Sequence, residues 1–450
     1  MKHASHQETV DDGDASLWRR LRRNVSIGML GSGLSVAIKL VQAVLLTRFL
    51  KIDDYGRVLI VLNLFIFLDS FFGLRVSDVM FRFFQPLQEQ EEKRALRGLL
   101  LFCLAICLAS GLLIYVAVLI LSPWLAAHVY SNPDLSQLFK IYGFTILVSA
   151  FSGVYEPLLR VYDRFSAIVI PQVLGNLITL TLLVVYFSRV GGVGHDLRFI
   201  VLAFAIGAMV QSVPPLVKAL GLLRPFLGRT QSEEQGLTKY RPDLIRCLVS
   251  SNLSGYLKFA INPGDVFLLG LFSSPAQVAL YGLAKQLTSP LAILQTTIQT
   301  AITPEITALM AKLKLQQLQR LVARYVVSAL LFGGLFLLGA VLLGRLLILH
   351  LFSAQYVAAL PVFYCLIVAV WLLLVFLVFR PLAVSLDLLK WHNLALLTST
   401  VIVIVLIVAG GLNALTMAYM QLAEAAILRH SFSLLVWKKL RGRAAARFAA

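Results

Sequence analysis

The chain carries about twelve stretches of roughly 20 mostly apolar residues, near 25–47, 57–74, 98–121, 139–159, 166–188, 199–217, 247–271, 278–303, 325–349, 357–379, 392–410 and 413–436. Wound as a helix, a stretch of that length matches the ~30 Å hydrocarbon core of a bilayer. Lipid offers no partner to a backbone N–H or C=O, so each span must satisfy its own polar groups as a helix. The spacing therefore predicts an all-α polytopic membrane protein. Composition excludes the soluble alternative. Only 14% of residues are charged and 59% are hydrophobic, whereas a soluble domain carries about 25% charged residues.

Forty Lys and Arg against 22 Asp and Glu give a net charge of +18. A basic chain can mark a nucleic-acid protein, but here the positive charge alternates with the spans. With the N-terminus in the cytoplasm, thirty of the forty basic residues fall in cytoplasmic segments, from Arg19-Arg20 through the loop at 218–246 to Lys438-Lys439. That is the asymmetry of the positive-inside rule. It predicts cytoplasmic N- and C-termini and no nucleic-acid partner. The basic tail predicts contact with anionic membrane lipid as well. The first span is expected to be retained, because a long segment precedes it and it contains Lys39. The four cysteines and seven histidines show no ligand spacing, so no metal or cofactor is expected.

The polar stretch at 218–246 divides the spans six and six. The organisation expected is a cytoplasmic segment 1–24, a six-helix half 25–217, a cytoplasmic linker 218–246, a second half 247–436 and a basic tail 437–450. An internal match supports duplication. Ser32-Gly33-Leu34-Ser35 leading to Lys39 corresponds to Ser251-Asn252-Leu253-Ser254 leading to Lys258, and Tyr55-Gly56 recurs as Tyr281-Gly282. An even number of spans per half gives a parallel repeat around an axis along the membrane normal, with a central cavity between the halves.

An ionisable side chain within a span is a functional hypothesis by default. Ser32, Ser35, Lys39 and Gln42 share one helical face, as do Ser251, Ser254, Lys258, Asn262 and Asp265. Hydrogen bonding between helices accounts for Ser and Asn at such positions. Lysines at equivalent places in a repeat point instead to a cavity lining. Lys39, Lys258 and Lys285, with Ser35, Gln42 and Ser254, are the candidate substrate contacts, and three lysines argue for an anionic passenger such as a pyrophosphate. Pro263-Gly264 predicts a break or hinge in the seventh span, since proline removes a backbone donor. Asp265 could pair with Lys258 or Lys285, or exchange a proton or sodium ion; Asp69 and Glu424 are further candidates for the coupling ion, H+ or Na+. Arg75, Asp78 and Arg82, at spacings of three and four, predict a salt-bridged turn at the inner edge, with anion capture as the second reading.

Three segments then resemble a known family. They are Thr47-Arg48-Phe49-Leu50 through Tyr55-Gly56, Gly264-Asp265-Val266-Phe267-Leu268-Leu269-Gly270 leading to Tyr281-Gly282, and Leu351-Phe352-Ser353 to Tyr356. Together with the topology they resemble the polysaccharide transporter branch of the multidrug/oligosaccharidyl-lipid/polysaccharide exporter superfamily, which includes the Wzx-type O-antigen and exopolysaccharide flippases. Lys51 and Ser353 stand where that family usually has glycine, which touches only local turn shape. The resemblance implies a bacterial cytoplasmic (inner) membrane protein that moves an undecaprenyl-pyrophosphate-linked oligosaccharide to the outer leaflet by cation-coupled alternating access. A polysaccharide polymerase and a chain-length regulator are the protein partners it implies. A multidrug antiporter of the same superfamily is the alternative. A membrane polymerase or ligase is disfavoured, since the short outer loops hold only His128, His195 and few carboxylates.

Overall fold

A computed structural model describes residues 4–190, 195–227, 239–259, 264–312, 314–379 and 411–429, together with 381–382, 398, 401, 405, 433–434 and 436–438. Among them all regular secondary structure is helical. Eight stretches are long and apolar enough to cross a membrane, among them Ser26–Phe49, Ile52–Phe72, Lys93–Val129, Leu197–Phe226 and Leu315–Leu351. The protein is a multi-pass membrane protein.

Helix α1 (Ala4–Phe49) continues from the N-terminal segment into the first span. Helix α2 (Ile52–Phe72) begins five residues ahead of the expected start at 57. Asp53 and Asp54 occupy its first turn, where carboxylates meet the positive end of the helix dipole, and Asp54 accepts from Arg57 at 2.9 Å. Helix α3 (Val76–Glu89) buries Val76, Val79, Met80, Phe84 and Leu87. This apolar stripe at helical spacing marks an amphipathic helix. The salt-bridged turn expected there is absent: among the described residues no ion pair joins Arg75, Asp78 and Arg82. Arg75 and Arg82 are exposed, so water competes for their charge, and Arg82 lies over the Phe83 ring at 5.4 Å.

Helix α4 (Lys93–Trp124) runs into a wider turn over Leu125–Val129. The following link uses the turn chemistry of its sequence: Ser131 has φ 48°, and the Asn132 side chain accepts the Asp134 N–H at 3.1 Å. The stretch at 139–159 is three short helices, α5 (Leu135–Gly143), α6 (Ile146–Ser149) and α7 (Ser152–Val161). At the first joint the Thr145 hydroxyl donates to the Tyr142 carbonyl at 2.7 Å, a side chain competing for a helical acceptor. Helices α8 (Ser166–Val190) and α9 (Leu197–Leu227) follow, α9 running beyond 217. They approach closely at glycines: a Cβ on Gly175 would fall 2.4 Å from the Gly207 carbonyl oxygen.

The seventh stretch comprises two helices, α10 (Arg241–Phe259) and α11 (Gly264–Phe272). Pro263 falls between them, in 260–263, outside the described residues; Gly264 opens α11. Helices α12 (Pro275–Ala311) and α13 (Leu315–Leu351) each run 37 residues. A 3₁₀ turn (Ala354–Ala359) leads to α14 (Leu360–Val375). Helix α15 (Ala414–Ala423) starts at a capping box formed by Asn413 and Thr416, whose side chains each accept the other's backbone N–H.

Alternating helices define two ends. The far end holds the α1–α2, α8–α9, α11–α12 and α13–α14 links; the near end holds the α2–α3, α9–α10 and α12–α13 links. The apolar core is divided accordingly. One cluster at the far end and middle joins both halves, including Leu46, Tyr55 and Val58 with Val278, Tyr281, Tyr356 and Met417. A second, at the near end, contains Val79, Phe84, Leu99 and Leu158 of the first half with Leu244 and Cys247 of α10. A third contains Ile306, Leu318, Val322 and Val378 of the second half. The halves thus share one core at the far end; at the near end α10 packs into the core of the first half, and the other described helices of the second half keep a core of their own.

Candidate functional site

Between the halves lies a cavity of about 450 Å³. Its walls repeat at helical spacing: Lys39, Gln42, Ala43 and Leu46 on α1, Tyr55, Val58, Leu59, Leu62 and Ile66 on α2, and Gly282, Lys285, Gln286 and Ser289 on α12. One face of each helix therefore turns inward. Asn176 and Thr179 of α8 and Phe204, Ala208 and Gln211 of α9 complete the first-half side.

Lys39 is exposed at this wall, and among the described residues no ion pair or hydrogen bond occupies it. Gln42 is buried, donating to the Asn176 carbonyl at 2.7 Å. Gln211 donates to the Asn176 side chain at 3.5 Å. This amide group forms a polar wall from three helices.

Of the two lysines that the sequence offered Asp265 as partners, Lys285 is the one paired with it among the described residues. Its ammonium donates to both oxygens of Asp265, at 2.7 and 2.8 Å. The Asp265 carboxylate is 2% exposed and also accepts from the Tyr281 hydroxyl at 2.7 Å and the Val266 N–H at 2.8 Å. Gln421 hydrogen-bonds the Tyr281 hydroxyl in turn. A buried carboxylate needs such a set of donors, because isolated charge is costly there. The Lys285 side chain is 37% exposed and its stem lines the cavity. The pair brings the local charge to zero and leaves Lys39 as the uncompensated cation among the described cavity residues.

The other candidates divide. Ser35 is buried and its hydroxyl has no partner among the described residues; it does not line the cavity. Lys258 and Ser254 lie on α10, with side chains outside the described part of the structure. Asp69 lies half-buried on α2 beyond the cavity, near its C-terminal end. Glu424 is buried where α15 passes into a wider turn. Sequence reasoning missed Asn63, Asn176, Gln211 and Gln286. Their signal was an amide within an apolar span, which a bond between helices explains equally well.

The far end is closed by contacts between the halves. The Arg48 guanidinium donates to the Leu351 carbonyl at 2.8 Å and to the His350 carbonyl. These carbonyls end α13, where the helix dipole attracts a cation. Gln355 donates to the Leu50 carbonyl at 3.1 Å, and the Tyr55 and Tyr356 rings meet edge to face at 6.0 Å. The repeated Tyr-Gly pairs lie here. A Cβ on Gly56 would fall 1.9 Å from the Pro275 carbonyl oxygen, and one on Gly282 would fall 2.4 Å from the Leu59 side chain. At the near end, the Asn252 side chain accepts the Arg75 N–H at 3.2 Å, holding α10 to the first half.

A bundle closed at one end around a polar cavity is the architecture of an alternating-access transporter. The chain shares its fold with solved structures of such proteins. A lipid II flippase, MurJ, in an inward closed conformation matches with TM-score 0.69 at 12% identity, over 91% of this chain and 87% of that one. An inward-facing multidrug resistance MATE family transporter of the MOP superfamily matches with TM-score 0.66 at 14% identity, over 92% and 95%. No curated protein sequence matches significantly. The family profile described as "Polysaccharide biosynthesis protein" matches residues 21–310, and the chain belongs to that family.

Proposed function

We propose that this protein is a flippase. It carries undecaprenyl-pyrophosphate-linked oligosaccharide units from the cytoplasmic to the periplasmic leaflet of a bacterial inner membrane, for O-antigen, capsule or exopolysaccharide synthesis. The near end, with both termini, faces the cytoplasm, as the basic residues favour. The observation that carries the reading is the cavity between the halves with Lys39 uncompensated in its wall. An unpaired cation in the wall of a cavity suits a pyrophosphate, while the amides of Gln42, Asn176 and Gln211 suit sugar hydroxyls. Lipid tails remain in the bilayer, and no covalent chemistry is required.

Transport follows from the divided core. With the near-end cores apart, the headgroup enters from the cytoplasm. Opening of the far-end contacts, with closure of the near end, releases it outside. Asp265 and an incoming pyrophosphate compete for Lys285; a passenger that takes Lys285 leaves Asp265 free to accept H+ or Na+. Lys258 extends the cationic path in this reading, Asp69 and Glu424 are further coupling sites, and bending at Pro263-Gly264 accompanies the change. A polysaccharide polymerase and a chain-length regulator receive and handle the product.

The second reading is a multidrug antiporter, favoured by the fold shared with multidrug transporters. Reconstituted protein separates the two. Translocation of a fluorescent lipid-linked oligosaccharide, lost in Lys39→Ala and partly kept in Lys39→Arg, supports the flippase. Cation-driven efflux of organic cations without lipid translocation overturns it.

A further inference from the structure

A second polar cavity, of about 370 Å³, lies at the far end of the first half. Its walls include Asp54 and Arg57 of α2, Asn132 and Asp134 before α5, and His195, Asp196 and Arg198 at the start of α9. It stands over the central cavity on the same three helices, since α2, α5 and α9 also supply Leu62, Tyr142 and Ala208 to that site. Buried Val58, Phe139 and Val201 fill the layer between. Along α2, Arg57 and Leu62 are five residues apart, ~8 Å at the helical rise.

Two side chains in the wall hold polar atoms that the described protein leaves unanswered. Arg57 gives one guanidinium nitrogen to Asp54 at 2.9 Å, but its Nε is buried without a partner. Both ring nitrogens of His195 are buried without a partner. Phe187 and Phe49 meet the imidazole edge to face, with ring centroids at 5.1 and 6.3 Å, and the Tyr186 ring lies tilted to it at 6.1 Å with its hydroxyl turned to the Asp196 N–H. Buried polar groups are ordinarily paired, by protein, water or ligand.

The chemistry narrows the ligand. Three carboxylates, Asp54, Asp134 and Asp196, outnumber two guanidiniums, which disfavours an anion. Among the described residues no set of His, Cys, Asp and Glu has metal-binding geometry. Neighbouring donors and acceptors suit hydroxyls, each of which donates and accepts. Leu135, Leu138 and Leu197 in the same wall suit the C–H face of a sugar ring. We propose that this pocket binds one uncharged sugar residue, as a glycan site distinct from the central cavity. The origin of that sugar in the transported glycan rests on the flippase reading; the binding site itself does not.

The test is saturation-transfer NMR on the full-length protein in nanodiscs, probed separately with glucose, galactose, N-acetylglucosamine and glucuronate. At least one neutral sugar is expected to receive saturation, and glucuronate is not. The signal should require about tenfold more sugar in His195→Phe, which keeps the aromatic packing, and in Arg57→Gln; it should persist in Lys39→Ala. Thermal unfolding identifies any variant that misfolds, and the other then carries the test. No signal from the neutral sugars, equal binding of glucuronate, retention in the folded pocket variants, or loss in folded Lys39→Ala each overturns the site. Lipid translocation is scored separately: its absence with sugar binding intact overturns the flippase reading alone.

Discussion

Lys39 and Lys285 face one cavity but differ in their neighbours. Lys285 has Asp265 within 2.7 Å, whereas Lys39 has no charged partner among the described residues. Asp265→Ala should therefore free a cation while removing the acceptor of the Tyr281 hydroxyl. Breaking a buried pair costs about 3–5 kcal/mol; with Lys285 37% exposed, solvent reduces this to about 1–2 kcal/mol. A lower unfolding temperature in nanodiscs, partly restored in Asp265→Ala/Lys285→Met, checks it; full stability in the single variant would refute the pairing's structural role. The free Lys285 should also bind inorganic pyrophosphate more tightly than wild type, measured by calorimetry. Lys39 was legible in the sequence because a charge in a span is conspicuous. The neutralisation of Lys285 was not, since Asp265 is 20 residues away and the choice between Lys258 and Lys285 depends on how α11 packs on α12.

At the scale of elements, the sequence revealed helices through continuous apolarity, while their interruptions depended on local competition. The Thr145 side chain bonding Tyr142 accompanies a joint within 139–159, and nothing in hydropathy marks it. The Tyr-Gly repeat was visible, but its role needed the packing of α2 on α12. The two glycines predict unequal effects. At Gly56 an added Cβ would meet backbone at 1.9 Å, while at Gly282 it would meet the Leu59 side chain at 2.4 Å, which can turn aside. Gly56→Ala should disfavour the far-end-closed form by about 1–3 kcal/mol, the usual cost of overpacking, and Gly282→Ala by less. Maleimide labelling of a cysteine placed at Ser274, in a background lacking the native cysteines, reads the difference. Faster labelling in Gly56→Ala than in Gly282→Ala is expected, and the reverse order would contradict the packing argument.

For the whole molecule, one core shared at the far end and two distinct cores at the near end, with α10 on the first-half side, make opening a matter of exchanging contacts between ends. Arg48 and Gln355 bind main-chain carbonyls across the halves, so these bonds belong to the far-end-closed form and are lost when it opens. Each is exposed or partly buried, and a net contribution of about 1 kcal/mol apiece is reasonable. Removing either should move the closed-to-open ratio roughly fivefold, and removing both roughly 25-fold if they act independently. Spin labels at Ser131 and Ala354, exposed on opposite halves, would report this by electron–electron resonance. Arg48→Ala and Gln355→Ala should each add a longer-distance population, and the double variant should enlarge it. Unchanged distributions in all three would show that the apolar contacts alone hold this end, leaving the polar bonds no part in setting the resting conformation. A shift would mean that residues remote from the cavity set its access, and transport should then become limited by the return of the near-end-open form.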